Sequence, residues 1–243
     1  MCDGLIHQLS SSIRGLRELF FPRKCVVCKK LLAEDEWDVC AACLEGLPMT
    51  YQWDIVQNAA FERLARRFEV QDAASLFFFR TESDYRSILY GIKYGNRRQL
   101  AVRMGELLGR QMAASRMFRG CQAVVPVPLH PLRRWKRGYN QAELIARGVA
   151  QAMGLPVETK LLRRRRNTKT QTKLHGAAKT KNVQGAFAVD LRCAADLQQQ
   201  QGIRHILLID DTLTTGSTFA ACATPLLAAN FEISCATLAY AGQ

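Results

Sequence analysis

Residues 206–218 read Ile-Leu-Leu-Ile-Asp-Asp-Thr-Leu-Thr-Thr-Gly-Ser-Thr, and an apolar, Ala-rich stretch follows at 219–229. This order predicts a buried parallel strand, a phosphate-binding turn and the start of a helix. Backbone N–H groups at a helix start have no intrahelical partner and favour an anion, above all a phosphate. The carboxylates of Asp210 and Asp211 suit sugar hydroxyls or a divalent cation bound to phosphate.

The hydroxyl-rich turn has a simpler explanation, an ordinary strand-to-helix turn capped by Thr or Ser. The combination of acid pair, hydroxyl groups and glycine within one short segment favours phosphate binding instead. The segment resembles the phosphoribosyl pyrophosphate (PRPP) motif of the type I phosphoribosyltransferases. That resemblance implies that Asp210 and Asp211 hold the ribose hydroxyls. It also implies that the 5′-phosphate is bound by Thr214, Thr215, Gly216, Ser217 and Thr218.

The length and composition of the chain bound its class. The 243 residues, 48% of them hydrophobic, suit one α/β domain with a small appendage. No stretch approaches the ~20 consecutive apolar residues of a membrane-spanning helix. Residues 1–21 mix charged and apolar residues and lack the ordered regions of a signal peptide. We therefore expect a cytoplasmic protein without a membrane span.

The positive charge of the chain is concentrated locally. The formal net charge is +13, and residues 159–189 contain nine basic residues and no acidic one. A second basic cluster consists of Arg133, Arg134, Lys136 and Arg137. A solvated charge run is the simpler explanation, but an ordinary soluble surface interleaves acids. The charge therefore predicts polyanionic ligands: pyrophosphate, nucleotides or nucleic acid.

Four of the nine cysteines form a metal-ligand pattern. Cys25 and Cys28 make one C-x2-C pair, and Cys40 and Cys43 make a second pair after eleven intervening residues. Two such pairs close a four-thiolate zinc site, which stabilises a segment with little apolar core. Four unrelated cysteines or a redox pair are the alternatives, but a redox pair needs only one C-x2-C. We predict a zinc-binding head over 1–55 and a phosphoribosyltransferase-like domain over 56–243.

The remaining elements are predicted from apolar periodicity and from the Gly and Pro residues that mark turns. We expect 130–140 to be a basic loop facing the same crevice as the acid pair, 163–182 to be a flexible basic loop, and 190–204 to be a surface excursion. Strands are expected over 73–80, 123–129, 185–189 and 231–240, and helices over 83–94, 98–118 and 141–153.

Nearly the whole chain resembles the ComF, or competence protein F, group of phosphoribosyltransferase-fold proteins. The four cysteines, the Tyr90-Gly-Ile-Lys-Tyr segment, Val125-Pro-Val-Pro-Leu-His, Arg137-Gly-Tyr-Asn-Gln and the PRPP-type motif carry the resemblance. It implies a type I phosphoribosyltransferase-like parallel sheet flanked by helices. One departure is Lys179, where the family tends to place an Arg; Lys keeps the charge but loses the bidentate fork.

The resemblance leaves two functions open. One is a role in DNA uptake during natural transformation, in which the protein handles single-stranded DNA beside a DNA-uptake helicase or translocase. Cations then neutralise phosphates, and bases stack on aromatic rings; the candidates are Tyr90, Tyr94, Trp135 and Tyr139. The other is a Mg2+-dependent phosphoribosyltransferase that uses PRPP and releases pyrophosphate. Thr214 stands where some purine enzymes carry an Asp general base, so purine salvage is disfavoured.

The resemblance also assigns individual residues. Asp210, Asp211 and Arg137 are the expected catalytic residues, with Mg2+ bound alongside PRPP. Arg133 and Asn140 are expected to contact phosphate, and cations near the leaving pyrophosphate would stabilise its developing charge. The basic loop is expected to close over the site, which excludes water. Its named positions are Arg163, Gln171, Lys179 and Asn182.

Overall fold

The computed structural model describes residues 22–165 and 185–242 and is organised around a four-stranded sheet. Its strand order is β1-β6-β5-β2, and all three neighbouring pairs are parallel. A separate antiparallel ribbon joins β3 to β4. The strands are β1 (Ala73–Phe78), β2 (Ala123–Pro126), β3 (Leu162–Arg164), β4 (Phe187–Val189), β5 (His205–Leu213) and β6 (Glu232–Tyr240).

Helices cover both faces of this sheet. They are α1 (Ala41–Glu45), α2 (Ala59–Ala65), α3 (Arg86–Tyr94), α4 (Arg98–Ala114), α5 (Pro131–Arg137), α6 (Gln141–Met153), α7 (Leu191–Gln199) and α8 (Ser217–Leu227). Single 3-10 turns occur at Gln52–Asp54 and Met117–Gly120. This is the mixed α/β, parallel-sheet architecture that the sequence predicts.

The apolar run of β5 is buried on both sides because successive side chains of a strand alternate between faces. Leu207 and Ile209 lie in one core cluster with residues of α4 and α6. Ile206 and Leu208 lie in a second cluster with residues of α2 and α8. Helices α4 and α6 approach closely: a Cβ on Gly148 would lie 2.0 Å from a backbone oxygen of α4.

The N-terminal segment packs against the first core cluster. Val39 and Leu47 belong to the same cluster as Leu76 of β1. Backbone hydrogen bonds tie the segment to that strand, from Thr50 N to Leu76 O at 3.0 Å and from Phe78 N to Pro48 O at 2.8 Å. The division of the chain at residue 55 stays a prediction.

Two segments expected to be irregular are helical, and both expectations were wrong. Residues 131–137 form α5, whose first turn is capped by His130, with Pro131 at a helix start where it is favoured. Residues 191–199 form α7, capped by the Asp190 carboxylate and anchored by buried Ala194 and Leu197. Cap signals and a few buried positions define these helices, although most side chains of α5 and about half of those of α7 are polar or charged.

The elements that were predicted agree with the structure within a few residues, and the helix over 141–153 agrees at both ends. Helices α1 and α2 and strand β3 were not predicted, and β3 includes the first two residues of the expected flexible loop, 163–164. Strand β5 continues past the acid pair to Leu213, so Asp210 lies inside the strand, opposite Thr237 of β6. Within the described ranges, no helix is both long and apolar enough to cross a membrane. Most of the predicted basic loop, including Gln171, Lys179 and Asn182, lies outside the described residues.

Candidate functional site

The turn between β5 and α8 has the backbone that the phosphate-binding hypothesis requires. Gly216 adopts a φ of +76°, a left-handed conformation that favours glycine. A Cβ at this position would also lie 2.8 Å from Leu64 of α2. The Thr215 and Ser217 hydroxyls lie 2.8 Å apart, and α8 begins at Ser217. An 11-residue helix therefore begins two residues after the exposed threonines, Thr214 and Thr215.

Helix α2 supports this turn from outside. The Arg63 guanidinium donates to the carbonyl oxygens of Thr214 at 2.6 Å and Ala241 at 2.8 Å. It also lies 4.4 Å from the centre of the Tyr240 ring. Arg67 is a second cation at the turn, with its Cδ 3.3 Å from the position of a Cβ on Gly216. Neither arginine was predicted as a site residue, because no local pattern links them to the PRPP-type motif.

Asp211 is the more enclosed member of the acid pair. It is 6% exposed, and the Lys93 ammonium lies 2.8 Å from its Oδ1 atom. Gln141 donates its Nε2 hydrogen to the Oδ2 atom at 2.9 Å. The Gln141 Oε1 atom is buried and has no hydrogen-bond partner among the described residues. Lys93 and Gln141 lie in segments that carry the family resemblance, but neither was predicted as a site residue.

Asp210 is half-buried, and its carboxylate has different partners from that of Asp211. Its Oδ1 atom accepts a hydrogen bond from the Asp211 backbone N–H at 2.8 Å. Burial, together with the adjacent Asp211 carboxylate, raises the pKa of Asp210 to about 7. Positive charge on Lys93 and Arg164 acts in the opposite direction. The two acids therefore differ: Asp211 is held by an ammonium group, whereas Asp210 gains and loses a proton near neutral pH.

Three arginines from two elements lie near one another, and one of them, Arg164, acts electrostatically on Asp210. Arg133 and Arg137 lie one turn apart on α5, and the Arg137 guanidinium lies 5.3 Å from the Tyr94 ring centre. Burial, and then the charge of Arg137, lowers the pKa of Arg133. Burial, and then the charge of Arg133, lowers the pKa of Arg164 on β3. Arg164 is the arginine of this group that acts on Asp210, and its place beside Arg133 depends on the fold, since no local sequence pattern links the two.

Two predicted site residues make other contacts. Asn140 is buried, caps α6 by accepting from Ala142 N at 3.2 Å, and donates to the Val127 carbonyl at 3.1 Å. Arg163 pairs with Asp190 at 2.5 Å, next to α7. The phosphate-binding role of Asn140 and the loop role of Arg163 stay predictions.

Three of the four aromatic candidates for base stacking are exposed. Tyr90 and Tyr94 lie one turn apart on α3 with ring centres 6.0 Å apart, and they are 54% and 71% exposed. Trp135 on α5 is 84% exposed. Tyr139 is buried, and its hydroxyl donates to the Ile92 carbonyl. Tyr139 is therefore a packing residue, whereas the other three rings are open to a ligand.

The four N-terminal cysteines form one cluster. The sulfur atoms of Cys25, Cys28, Cys40 and Cys43 all lie within 4.8 Å of one another, and those of Cys28 and Cys40 are 3.7 Å apart. A tetrahedral zinc with ~2.3 Å bonds to sulfur separates its ligands by about 3.8 Å. The donor set and its spacing fit a four-thiolate zinc site, and within the described ranges it is the one group of this kind.

The electrostatics of the cluster also favour a cation. Burial opposes ionisation of Cys25, but hydrogen bonds from backbone N–H groups outweigh it and lower the pKa to about 6. Burial, and then the neighbouring thiols, raises the pKa of Cys43. One sulfur therefore ionises readily, whereas crowding resists further ionisation. A bound metal ion removes that resistance, because thiolate ligands are stabilised by the metal charge.

These features define a class: an α/β protein with a type I phosphoribosyltransferase-like parallel sheet, a PRPP-type turn and an N-terminal four-cysteine cluster. Its relatives by sequence agree with the predicted resemblance. The DNA utilization protein YhgH of Salmonella typhimurium is 28% identical over 240 residues, covering 89% of this chain and 97% of that protein. Competence protein F of Haemophilus influenzae is 34% identical over 97 residues, 40% of each chain. The chain is a homologue of these proteins.

The remaining comparisons add detail. The Escherichia coli K12 protein named DNA utilization protein YhgH is 27% identical over 233 residues, covering 86% of this chain and 92% of that one. No protein-family model matches the chain. The glutamine PRPP amidotransferase of B. subtilis superposes with a TM-score of 0.38 and 18% identity, over 60% of this chain and 30% of that one. A likeness of that size carries no inference about function.

Proposed function

We propose that the protein binds PRPP or another ribose 5-phosphate group at the β5–α8 turn and acts in DNA uptake by handling single-stranded DNA. One observation supports the binding of a ribose 5-phosphate group. The acid pair and a left-handed glycine at the N-cap of a helix lie in one strand–turn–helix unit. The role in DNA uptake is supported by relatives that are named for DNA utilization and competence.

The binding geometry follows from the charges around the turn. The 5′-phosphate would accept hydrogen bonds from the first N–H groups of α8 and from the Thr215 hydroxyl. Asp210 would accept hydrogen bonds from the ribose hydroxyls, and Gln141 Oε1 is a buried acceptor near the same pair. A pyrophosphate group would lie toward Arg133, Arg137 and Arg164, where positive charge is gathered.

Mg2+ has a limited place in this proposal. Asp211 already pairs with Lys93, so Asp210 is the carboxylate that a metal carried by PRPP would approach. The residues described here bind the ligand by hydrogen bonds and charge, and no step depends on the metal.

Nucleic acid would bind on the surface formed by α3 and α5. Tyr90 and Tyr94 offer exposed rings for bases, and Arg137 lies beside Tyr94 where a phosphate would need neutralising. Lys93 is the neighbour of Tyr94 and reaches the acid pair, so the ribose-phosphate site and this surface are contiguous. The DNA-uptake helicase or translocase partner and the cytoplasmic location remain predictions.

Zinc would be structural at the four-cysteine cluster. Closed four-thiolate sites stabilise small segments and leave no open position for chemistry.

An active phosphoribosyltransferase is the second candidate. It is favoured by Arg133 and Arg137, which lie one turn apart on α5 and whose charges would stabilise a leaving pyrophosphate bound beside them. The expected position of a general base is held by Thr214, whose side chain cannot accept a proton as a carboxylate does. Release of pyrophosphate from PRPP with each nucleobase in turn would distinguish an enzyme from a binding protein.

Calorimetric titration with PRPP tests the proposal. Asp210→Asn/Asp211→Asn should weaken binding, because each lost charge-assisted contact costs roughly 1.5–3 kcal/mol. The matched control is Asp54→Asn/Asp84→Asn, which removes the same charge from exposed positions outside the site. Equal affinity of the two double variants would refute the assignment.

A further inference from the structure

Lys93 is held in the site by its helix. The buried face of α3 consists of Ile88, Leu89 and Ile92, so the last turn of the helix is fixed against the core. The Lys93 side chain is 25% exposed, and its ammonium lies 2.8 Å from Asp211 Oδ1 and 3.4 Å from Thr212 Oγ1. A long side chain that buries its stem and reaches a buried carboxylate is part of a built arrangement, not a free surface charge.

Both oxygens of Asp211 are engaged. Lys93 holds Oδ1, and Gln141 holds Oδ2 at 2.9 Å. A divalent cation such as Mg2+ binds carboxylate oxygen at about 2.0–2.1 Å, where its charge would lie close to the Lys93 ammonium and be repelled by it. A metal at Asp211 would therefore have to displace the Lys93 ammonium from a carboxylate whose side chain is 9% exposed.

We infer that Lys93 is the resident cation of the acid pair and that Asp211 does not ligate a divalent metal. Lys93 is then a positioning residue. Its charge holds the Asp211 carboxylate in place and leaves Asp210 as the acid that contacts ligand. A second part rests on the proposed function: ribose 5-phosphate groups bind at this acid pair without a metal at Asp211. The negative charge of the acid pair, which a metal would otherwise neutralise, is balanced by the protein itself. Lys93 on α3 and Arg164 on β3 both act on Asp210.

Divalent-cation binding to the ligand-free protein tests the inference directly. The probe is Mn2+, a hard ion that prefers oxygen ligands and is readily followed by electron paramagnetic resonance. Wild-type protein, with zinc bound at its four-cysteine cluster, should have no Mn2+ site at Asp211. Any Mn2+ that it binds should therefore bind equally to Asp211→Asn. Lys93→Met, which keeps the stem and removes the charge, should gain such a site, with affinity at least about tenfold above wild type.

Three further variants isolate the effect. Lys93→Met/Asp211→Asn should lose the gained site, and Lys93→Arg, which restores a cation, should not show it. The control is Arg86→Met, which removes a positive charge from the exposed first turn of the same helix. Mn2+ binding by wild type at a site that Asp211→Asn abolishes would overturn the inference, and so would a folded Lys93→Met protein that gains no site. The wild-type result decides alone where the variant fails to fold.

A PRPP titration separates this inference from the proposed function. The change in PRPP affinity between EDTA and excess Mg2+ should agree within about threefold for wild type and Asp211→Asn, whereas Lys93→Met should gain a Mg2+ dependence that Lys93→Met/Asp211→Asn lacks. A Mg2+ dependence of wild type that Asp211→Asn removes would contradict the inference. Failure to bind PRPP in either buffer would refute the proposed function, and the Mn2+ result would still decide the role of Lys93.

Discussion

The Arg63 guanidinium and the Thr214 carbonyl oxygen lie 2.6 Å apart, although 151 positions separate them in the chain. This hydrogen bond fixes the first residue of the turn that precedes α8. The same guanidinium holds the carbonyl of Ala241 and stacks on the Tyr240 ring, so it links α2, the turn and the end of β6. The shape of the turn therefore depends on a helix that the ligand need not touch.

Arg63→Ala should loosen this turn and weaken PRPP binding about tenfold, with a loss of stability of roughly 1–2 kcal/mol, because hydrogen bonds from charged donors are lost. Calorimetry and urea unfolding measure the two effects. Arg66→Ala is the control, because it removes the same charge from an exposed side chain at the C-cap of the same helix. An affinity for PRPP that is the same in both variants would contradict a role for Arg63 in shaping the turn.

Asp210→Asn should change the pH dependence of stability. The pKa of Asp210 is raised in the folded protein to about 7, so the folded state holds a proton that the unfolded chain releases near pH 4. The contribution of Asp210 to stability is fully present below pH 4 and is lost as pH rises toward 7, by up to a few kcal/mol at ~1.4 kcal/mol per pKa unit. The variant should lack that decline, so its advantage over wild type should grow between pH 5 and pH 8.

Urea unfolding at several pH values measures this difference, with Asp84→Asn as an exposed control. A constant difference between Asp210→Asn and wild type across the range would show that Asp210 does not titrate near neutral pH.

Metal analysis should find about one zinc per chain, since a four-thiolate site holds one ion. Cys40→Ser/Cys43→Ser should lose the metal and unfold the segment around it. Cys193→Ser should keep the metal, because Cys193 is partly exposed and lies outside the cluster. Zinc retained by the double variant, or an intact fold in metal-free protein, would rule out a structural site.

Single-stranded DNA should bind through α3 and α5. Tyr94→Ala should weaken binding by roughly 1–3 kcal/mol through lost stacking, and Arg137→Ser should make the salt dependence shallower by about one unit of slope. Fluorescence anisotropy over a range of salt concentrations measures both. Tyr51→Ala is the matched control, an exposed tyrosine that precedes β1. Loss of affinity in the control equal to that in Tyr94→Ala would place the nucleic acid elsewhere.

The sequence predicted most of the sheet and the turn because their signals are local. Apolar runs mark β5 and β6, and periodicity marks α6 at both ends. Helix α5 was missed because its side chains are mostly charged and show no apolar periodicity.

The acid pair and the turn could be predicted as part of one motif, but their partners could not. Lys93 reaches its neighbours across 119 positions, and Arg63 across 151. Contacts of that range depend on the way strands and helices are ordered in space, which one sequence does not encode in any short pattern. Asn140 illustrates the converse: a motif residue whose side chain caps a helix.

The packing of the N-terminal segment on β1 has a practical consequence for truncation. A chain that started at residue 56 would lose Val39 and Leu47 from the core and would leave the backbone N–H of Phe78 without the Pro48 carbonyl. The Leu76 and Phe77 side chains, which are fully buried, would lose part of their cover. Such a shortened protein would expose β1 as an uncovered, apolar edge strand and would aggregate. It could not be used to measure ligand binding at the ribose-phosphate site.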